Sequence, residues 1–168
     1  MKKERKYLPV VGVGPLYVLP IVILTASGII MSVRKIIPSI FPQCMFAAVL
    51  FYVIGAACVA LGVWMWYSAV IRSRIDARIK ENTLVTDGIY AHVRNPIYSA
   101  FMFLCWGICF LFNNLYFLIT IPIYWILLTI LVKNTEEKWL KNIFGEEYFE
   151  YCKNTNRLLY TSKTNEKI

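Results

Sequence analysis

Three stretches of this 168-residue chain carry no Asp, Glu, Lys or Arg: residues 7–33, 36–71 and 95–132. A helix that spans a bilayer needs about 20 apolar residues, so each run is long enough to cross the hydrocarbon core. Inside lipid, backbone N–H and C=O groups must be satisfied within the segment, which restricts such runs to helices. The sequence therefore predicts an all-α integral membrane protein, a single domain over residues 1–168. With 58% hydrophobic and 17% charged residues, the composition does not suit an ordinary soluble domain.

The third run is too long for one crossing. As a single helix its 38 residues would extend about 57 Å, against a hydrocarbon core about 30 Å thick. Asn113 and Asn114 fall at its midpoint, and a turn there gives a tight helical hairpin. Four spans are expected, at approximately 8–33, 43–71, 96–112 and 115–132. Pro15 and Pro20 should kink or loosen the first. Gly55, Ala56, Ala57, Ala60 and Gly62 should allow close helix packing in the second, and Trp64, Trp66 and Tyr67 fit an interfacial belt.

Charge sets the orientation. Of the 18 Lys and Arg, 16 fall in residues 1–6, 72–94 and 133–168, and only Arg34 and Lys35 lie between the first two spans. This predicts both termini in the cytoplasm, with a prokaryotic inner membrane as the expected location. The same bias explains the net charge of +8 without a nucleic-acid partner. The first apolar run is too long for a cleaved signal peptide and lacks a small-residue cleavage site. No CxxC and no Cys/His cluster occurs, so no metal site is expected. Cys105 and Cys109 read as small buried hydrophobes. Gly12 and Gly14 lack the third glycine and preceding strand of a dinucleotide loop.

The polar connection over 72–95 ends in LVTDGIYAHVRNPIY, residues 84–98. Asn95 followed by Pro96 predicts a helix start with Asn95 as the cap. Tyr90, Arg94 and Tyr98 cluster there, and the hairpin returns Glu136 and Glu137 to the same membrane face. Beyond them, Trp139, Leu140, Ile143, Phe144, Tyr148 and Tyr151 recur at helical spacing. They predict an interfacial amphipathic helix over 133–153, interrupted at Gly145, with Trp139 and Phe144 facing lipid or packing. Carboxylates, a guanidinium and aromatic rings together suit a cationic, zwitterionic cofactor. Each group also has a plainer reading: Arg94 can snorkel to phosphates, the tyrosines can sit in the interfacial belt, and Glu136 can be a solvated charge. His92, the one histidine, fits an interfacial side chain better than a catalyst.

GIYAHVRNPIYSA, followed after a hydrophobic hairpin by EEKWLKNIFGEEYFEYC, resembles the isoprenylcysteine carboxyl methyltransferase family and the related phospholipid methyltransferases. The resemblance covers roughly residues 83–151. It implies a membrane-embedded methyltransferase that uses S-adenosyl-L-methionine without a Rossmann fold. Carried over by motif, Thr83, Leu84 and Val85 would border the cofactor. Tyr90, Asn95, Pro96, Ile97, Tyr98 and Glu136 would complete its site, and Arg94 is the candidate catalytic residue. The implied acceptor is a small lipophilic molecule entering from the bilayer, with a phospholipid or other lipid amine as one alternative. A noncatalytic scaffold that binds or assembles at the membrane is the other.

The sequence departs from the family pattern at several points. Asn95 and Asn82 stand where the family carries histidines, so neither position can titrate near neutral pH. The position of a substrate-side arginine falls on Val132, next to Lys133. Ser99-Ala100 replaces a glycine after the second tyrosine. These changes favour cofactor binding over prenylcysteine specificity, and no residue stands out as a general base.

Overall fold

The computed structural model describes residues 14–38 and 40–159. The basic N-terminal cluster, the start of the first expected span and the polar end beyond Thr161 lie outside them. Helix α1 (Gly14–Val33) runs through Pro20, and α2 (Met45–Tyr67) continues through a π-helical turn at Ser68–Arg72. A short α3 (Ile75–Lys80) and a 3₁₀ turn (Gly88–Ala91) break up the polar connection. Then come α4 (Pro96–Leu111), a 3₁₀ turn (Leu115–Ile119), α5 (Thr120–Asn134), α6 (Glu136–Phe144) and α7 (Glu146–Asn154). Among the described residues no strand forms; Val93 and Asn156 make one isolated parallel bridge.

Two continuous helical stretches, Met45–Arg72 and Leu115–Phe144, are long and apolar enough to cross a membrane by length and composition. The apolar stretches Val18–Val33 and Pro96–Leu111 are shorter. Large apolar side chains on the outside of α2 stay exposed, Met45 at 84% and Phe46 at 76%. A face of that kind needs an apolar solvent or partner.

The α2–α4 contact is built on small residues. The oxygen of Gly107 lies 3.0 Å from where a Cβ on Gly55 would sit, and that of Ala100 lies 2.8 Å from the corresponding point on Gly62. Val59 meets Gly107 in the same way from the other side. Backbones this close gain dispersion along the whole contact, the principal attraction where water is absent. Gly62→Ala is accordingly expected to force the helices apart at a cost of about 1–3 kcal/mol, read as a lowered midpoint of thermal unfolding in detergent.

The hairpin turn is specified by its two asparagines. Asn113 adopts φ +53°, a left-handed conformation that asparagine tolerates better than most residues. Asn114 is buried, and its Oδ1 accepts hydrogen bonds from the backbone N–H of Ile40 (3.3 Å) and Tyr116 (3.2 Å). Its Nδ2 donates to Ser32 Oγ at 3.3 Å. Below the turn, a hydrogen bond between the hydroxyls of Thr25 and Tyr124 (2.8 Å) ties α1 to α5. The hairpin thus carries α6 back toward the start of α4.

Candidate active site

Where α4 begins and α6 returns, a cavity of about 290 Å³ opens, at the small end of the range for ligand pockets. Thr83, Leu84 and Val85 form one wall, an extended segment anchored by Thr83 Oγ1 donating to the carbonyl of Arg78 (3.2 Å). Tyr90, from the 3₁₀ turn, and Arg94, Asn95, Pro96, Ile97 and Tyr98, at the start of α4, form a second. Glu136 closes the third with Trp139, Leu140, Phe144, Tyr148 and Tyr151 from α6 and α7. Every residue singled out in the sequence as a cofactor contact, and Arg94 with them, lines this one cavity. His92, Val132 and Lys133 do not.

The tail helices were expected at the interface, and their aromatic face turns out to have another use. The break at Gly145 (φ +55°) lets α7 fold back, and Trp139 and Phe144 line the cavity. Tyr151 donates its hydroxyl to the carbonyl of Tyr90 (2.6 Å), joining α7 to the opposite wall. Burial, with Tyr151, Glu136 and Asp76 nearby, pushes the Tyr90 phenol far above its usual range, so the ring is a neutral, apolar surface at any working pH.

The two adjacent glutamates have separate environments. Glu136 accepts a hydrogen bond from the Tyr98 hydroxyl. Burial raises its carboxyl above the ordinary value, and the tyrosine offsets only part of that. An under-compensated carboxylate in a cavity is a place for a cation. Glu137 is 3% exposed and fully paired. Arg94 Nη2 donates to its Oε1 (2.9 Å), while Arg157 donates through Nε (2.8 Å) to Oε1 and through Nη2 (2.8 Å) to Oε2. Burial alone would raise the Glu137 carboxyl; Arg157 and Arg94 outweigh it and bring it below the usual value.

Arg94 is therefore held rather than loose. Its Nη1 donates to the carbonyl of Cys152 at 2.9 Å, leaving Nε buried without a partner among the described residues. The Tyr148 hydroxyl is in the same condition. Both atoms are buried, so they face packed protein and not the open part of the cavity.

Asn95 meets the sequence expectation in position but not in its side-chain bonding. It occupies the cap position of α4, but its side chain makes no capping hydrogen bond. Its Nδ2 donates instead to the carbonyl of Arg157 (3.1 Å). The segment after α7 runs beside the start of α4: Arg94 N–H donates to Asn156 O (2.8 Å), Asn95 N–H to Arg157 O (3.1 Å) and Ser99 Oγ to Leu158 O (2.6 Å). Sequence reasoning missed this strap and Arg157, one of several cations in the tail with no motif around it. Ser99, fully buried, is small enough to let the strap approach.

Because the folded Glu137 carboxyl titrates below its unfolded value, its contribution to stability is fully present above the unfolded value. That contribution is lost as pH falls through the folded one. Thermal midpoints measured from pH 7 down to pH 3 should fall steeply for the native protein and less so for Glu137→Gln. Glu136, shifted the other way, opposes folding as pH rises through its titration and cannot supply this acid sensitivity.

Comparison with known proteins accords with these features. Residues 50–147, more than half of the chain, match the phospholipid methyltransferase family. Protein-S-isoprenylcysteine O-methyltransferase of Schizosaccharomyces pombe is 34% identical over 125 residues, which cover 69% of this chain and 51% of that protein. The chain thus spans about half the length of this curated relative. No solved structure matches. The matched region contains most of the second apolar helix, the polar connection, the hairpin and both glutamates, and the chain belongs to the phospholipid methyltransferase family.

Proposed function

We propose that this chain is an S-adenosylmethionine-dependent methyltransferase that acts on a small lipophilic acceptor in the membrane. The observation that carries the reading is the convergence of Thr83, Leu84, Val85, Tyr90, Asn95, Pro96, Ile97, Tyr98 and Glu136 on one cavity. In this reading there are four spans with both termini cytoplasmic, which the distribution of Lys and Arg supports. The cavity would then lie at the cytoplasmic face, where cofactor arrives from water and acceptor from lipid.

The cofactor supplies a methyl group already activated on a sulfonium. The chain's own task is to hold and align. Glu136, kept in place by Tyr98, would offset the positive charge of the bound cofactor. The neutral Tyr90 ring and the apolar side chains of Leu84, Val85 and Ile97 would hold the adenosine and exclude water. Arg94, held by Glu137 and by the Cys152 carbonyl, would fix the start of α4 and so position the wall against which the cofactor packs. Alignment of the acceptor with the methyl is the principal contribution to rate, because no bond to the protein need form. A carboxylate acceptor, as the name of the fission-yeast relative suggests, requires no general base. A lipid amine, as the family name suggests, would have to arrive deprotonated.

Calorimetric titration of S-adenosylmethionine into the protein in lipid nanodiscs tests the reading. One saturable site is expected, followed by transfer of labelled methyl to a prenylcysteine or a phosphatidylethanolamine probe. Folded protein that binds no cofactor would sink the enzyme reading and leave a noncatalytic scaffold. Cofactor binding with transfer to the amine alone would move the acceptor class.

A further inference from the structure

Among the residues that line the cavity, only Asp76 and Thr83 are exposed, and both flank the α3 side. Their exposure marks that side as the open side, or mouth, of the cavity. Ile75 and Ile79, half-buried, turn the apolar face of α3 toward the interior, and Asp76 stands beside them as the charged group of the mouth. The other two charged residues of the lining are already engaged, Arg94 by Glu137 and Glu136 by Tyr98. Asp76 enters no hydrogen bond or salt bridge with the described residues.

The attachment of α3 suits a part that adjusts to a ligand. It begins after Arg74 at φ +47° and is followed by Asn82 at φ +54°, two non-glycine residues in the left-handed region. Its outer side is held by the exposed salt bridge of Arg78 to Asp87, in which Nη2 and Oδ2 are 2.9 Å apart. Exposed pairs of this kind contribute little rigidity.

We propose that Asp76 is a further cofactor-binding residue that pairs with the ammonium of the cofactor's amino-acid part at the mouth of the cavity. This rests on reading the cavity as an S-adenosylmethionine site. The ammonium is compact and strongly hydrated, so it belongs at the aqueous mouth, whereas the nucleoside belongs against the rings and aliphatic side chains inside. A carboxylate at the mouth answers the ammonium in charge and leaves Glu136 for the interior.

The test is binding, measured in nanodiscs by displacement of labelled S-adenosylmethionine. Two competitors are used: unlabelled S-adenosylmethionine and 5′-methylthioadenosine, which keeps the nucleoside and the sulfur and lacks the amino acid. Asp76→Asn, at an exposed position, should weaken S-adenosylmethionine by about fivefold, the size of a partly exposed ion pair, and leave 5′-methylthioadenosine within twofold. Glu81→Gln removes an equal charge at the end of the same helix, outside the lining, and should change neither. An unchanged S-adenosylmethionine affinity in Asp76→Asn would overturn the assignment and leave the cofactor reading intact. Equal weakening of both ligands would overturn it too, since the effect would then lie in the nucleoside or in α3 itself. Failure of the native protein to bind S-adenosylmethionine would remove both readings together.

Discussion

Glu137→Ala is expected to destabilise the protein by about 3–5 kcal/mol, the usual penalty for breaking a buried ion pair from one side. The substitution leaves Arg94, 9% exposed, and Arg157, 25% exposed, as cations with no anion between them. Arg94 cannot easily reach water, and Arg157 reaches it only in part. Arg94 is still tied to the Cys152 carbonyl, and the strap that carries Arg157 is hydrogen-bonded to residues 94–99. Denaturant unfolding followed by circular dichroism should show the loss, with α7 and the strap becoming open to protease first. Arg157→Ala should do less, because Glu137 keeps Arg94 and the remaining guanidinium is still paired. Replacing Glu137, Arg94 and Arg157 together by apolar residues of similar size should recover much of the stability, since it also removes the desolvated charges. A Glu137→Ala protein as stable as the parent would mean that the triad is solvated and does not hold the tail.

The contrast between the triad and the rest of the site shows what a sequence can carry. Charge-free runs have few outcomes when backbone groups must be satisfied without water, and the helices and the turn at Asn113 follow from that restriction. Residues 83–98 and Glu136 could be singled out because motif, spacing and chemistry agree, and the structure brings them to one cavity. Arg157 gave no such signal. It lies 20 residues from Glu137, in a polar tail beyond the family match, and its partner could equally have been a solvated helix charge. The aromatic face of α6 and α7 was legible as a face only. Periodicity says that Trp139, Phe144 and Tyr148 point one way; whether lipid or a cavity wall meets them depends on the turn at Gly145. Asn95 holds the cap position as expected, yet its side chain does not bond to α4, for a related reason. Local chemistry favoured a bond to its own helix, and the carbonyl of Arg157, from the far end of the chain, took the side chain instead.

The second large effect concerns the other glutamate and falls on binding rather than folding. Glu136→Ala should weaken S-adenosylmethionine by about 2–3 kcal/mol, roughly 30- to 150-fold, as expected for removing one member of a desolvated charge pair. Its fold should persist, because Glu136 is bonded to Tyr98 and to none of the groups that hold the strap. Tyr98→Phe leaves the carboxylate but removes the hydroxyl that orients it, so about 1 kcal/mol, or fivefold, is expected. pH separates charge from shape. Burial raises the carboxyl of the free protein above its ordinary value, so it takes up its proton at higher pH than an exposed glutamate does. A cationic ligand binds the ionised form, so affinity in the native protein should rise with pH through that titration and then level off. Glu136→Gln keeps the shape and lacks the titration. Its affinity should be low and flat over the same interval. A Gln variant that kept the native pH dependence would place the cation beside another group, and the wall formed by α6 would then be an apolar surface only.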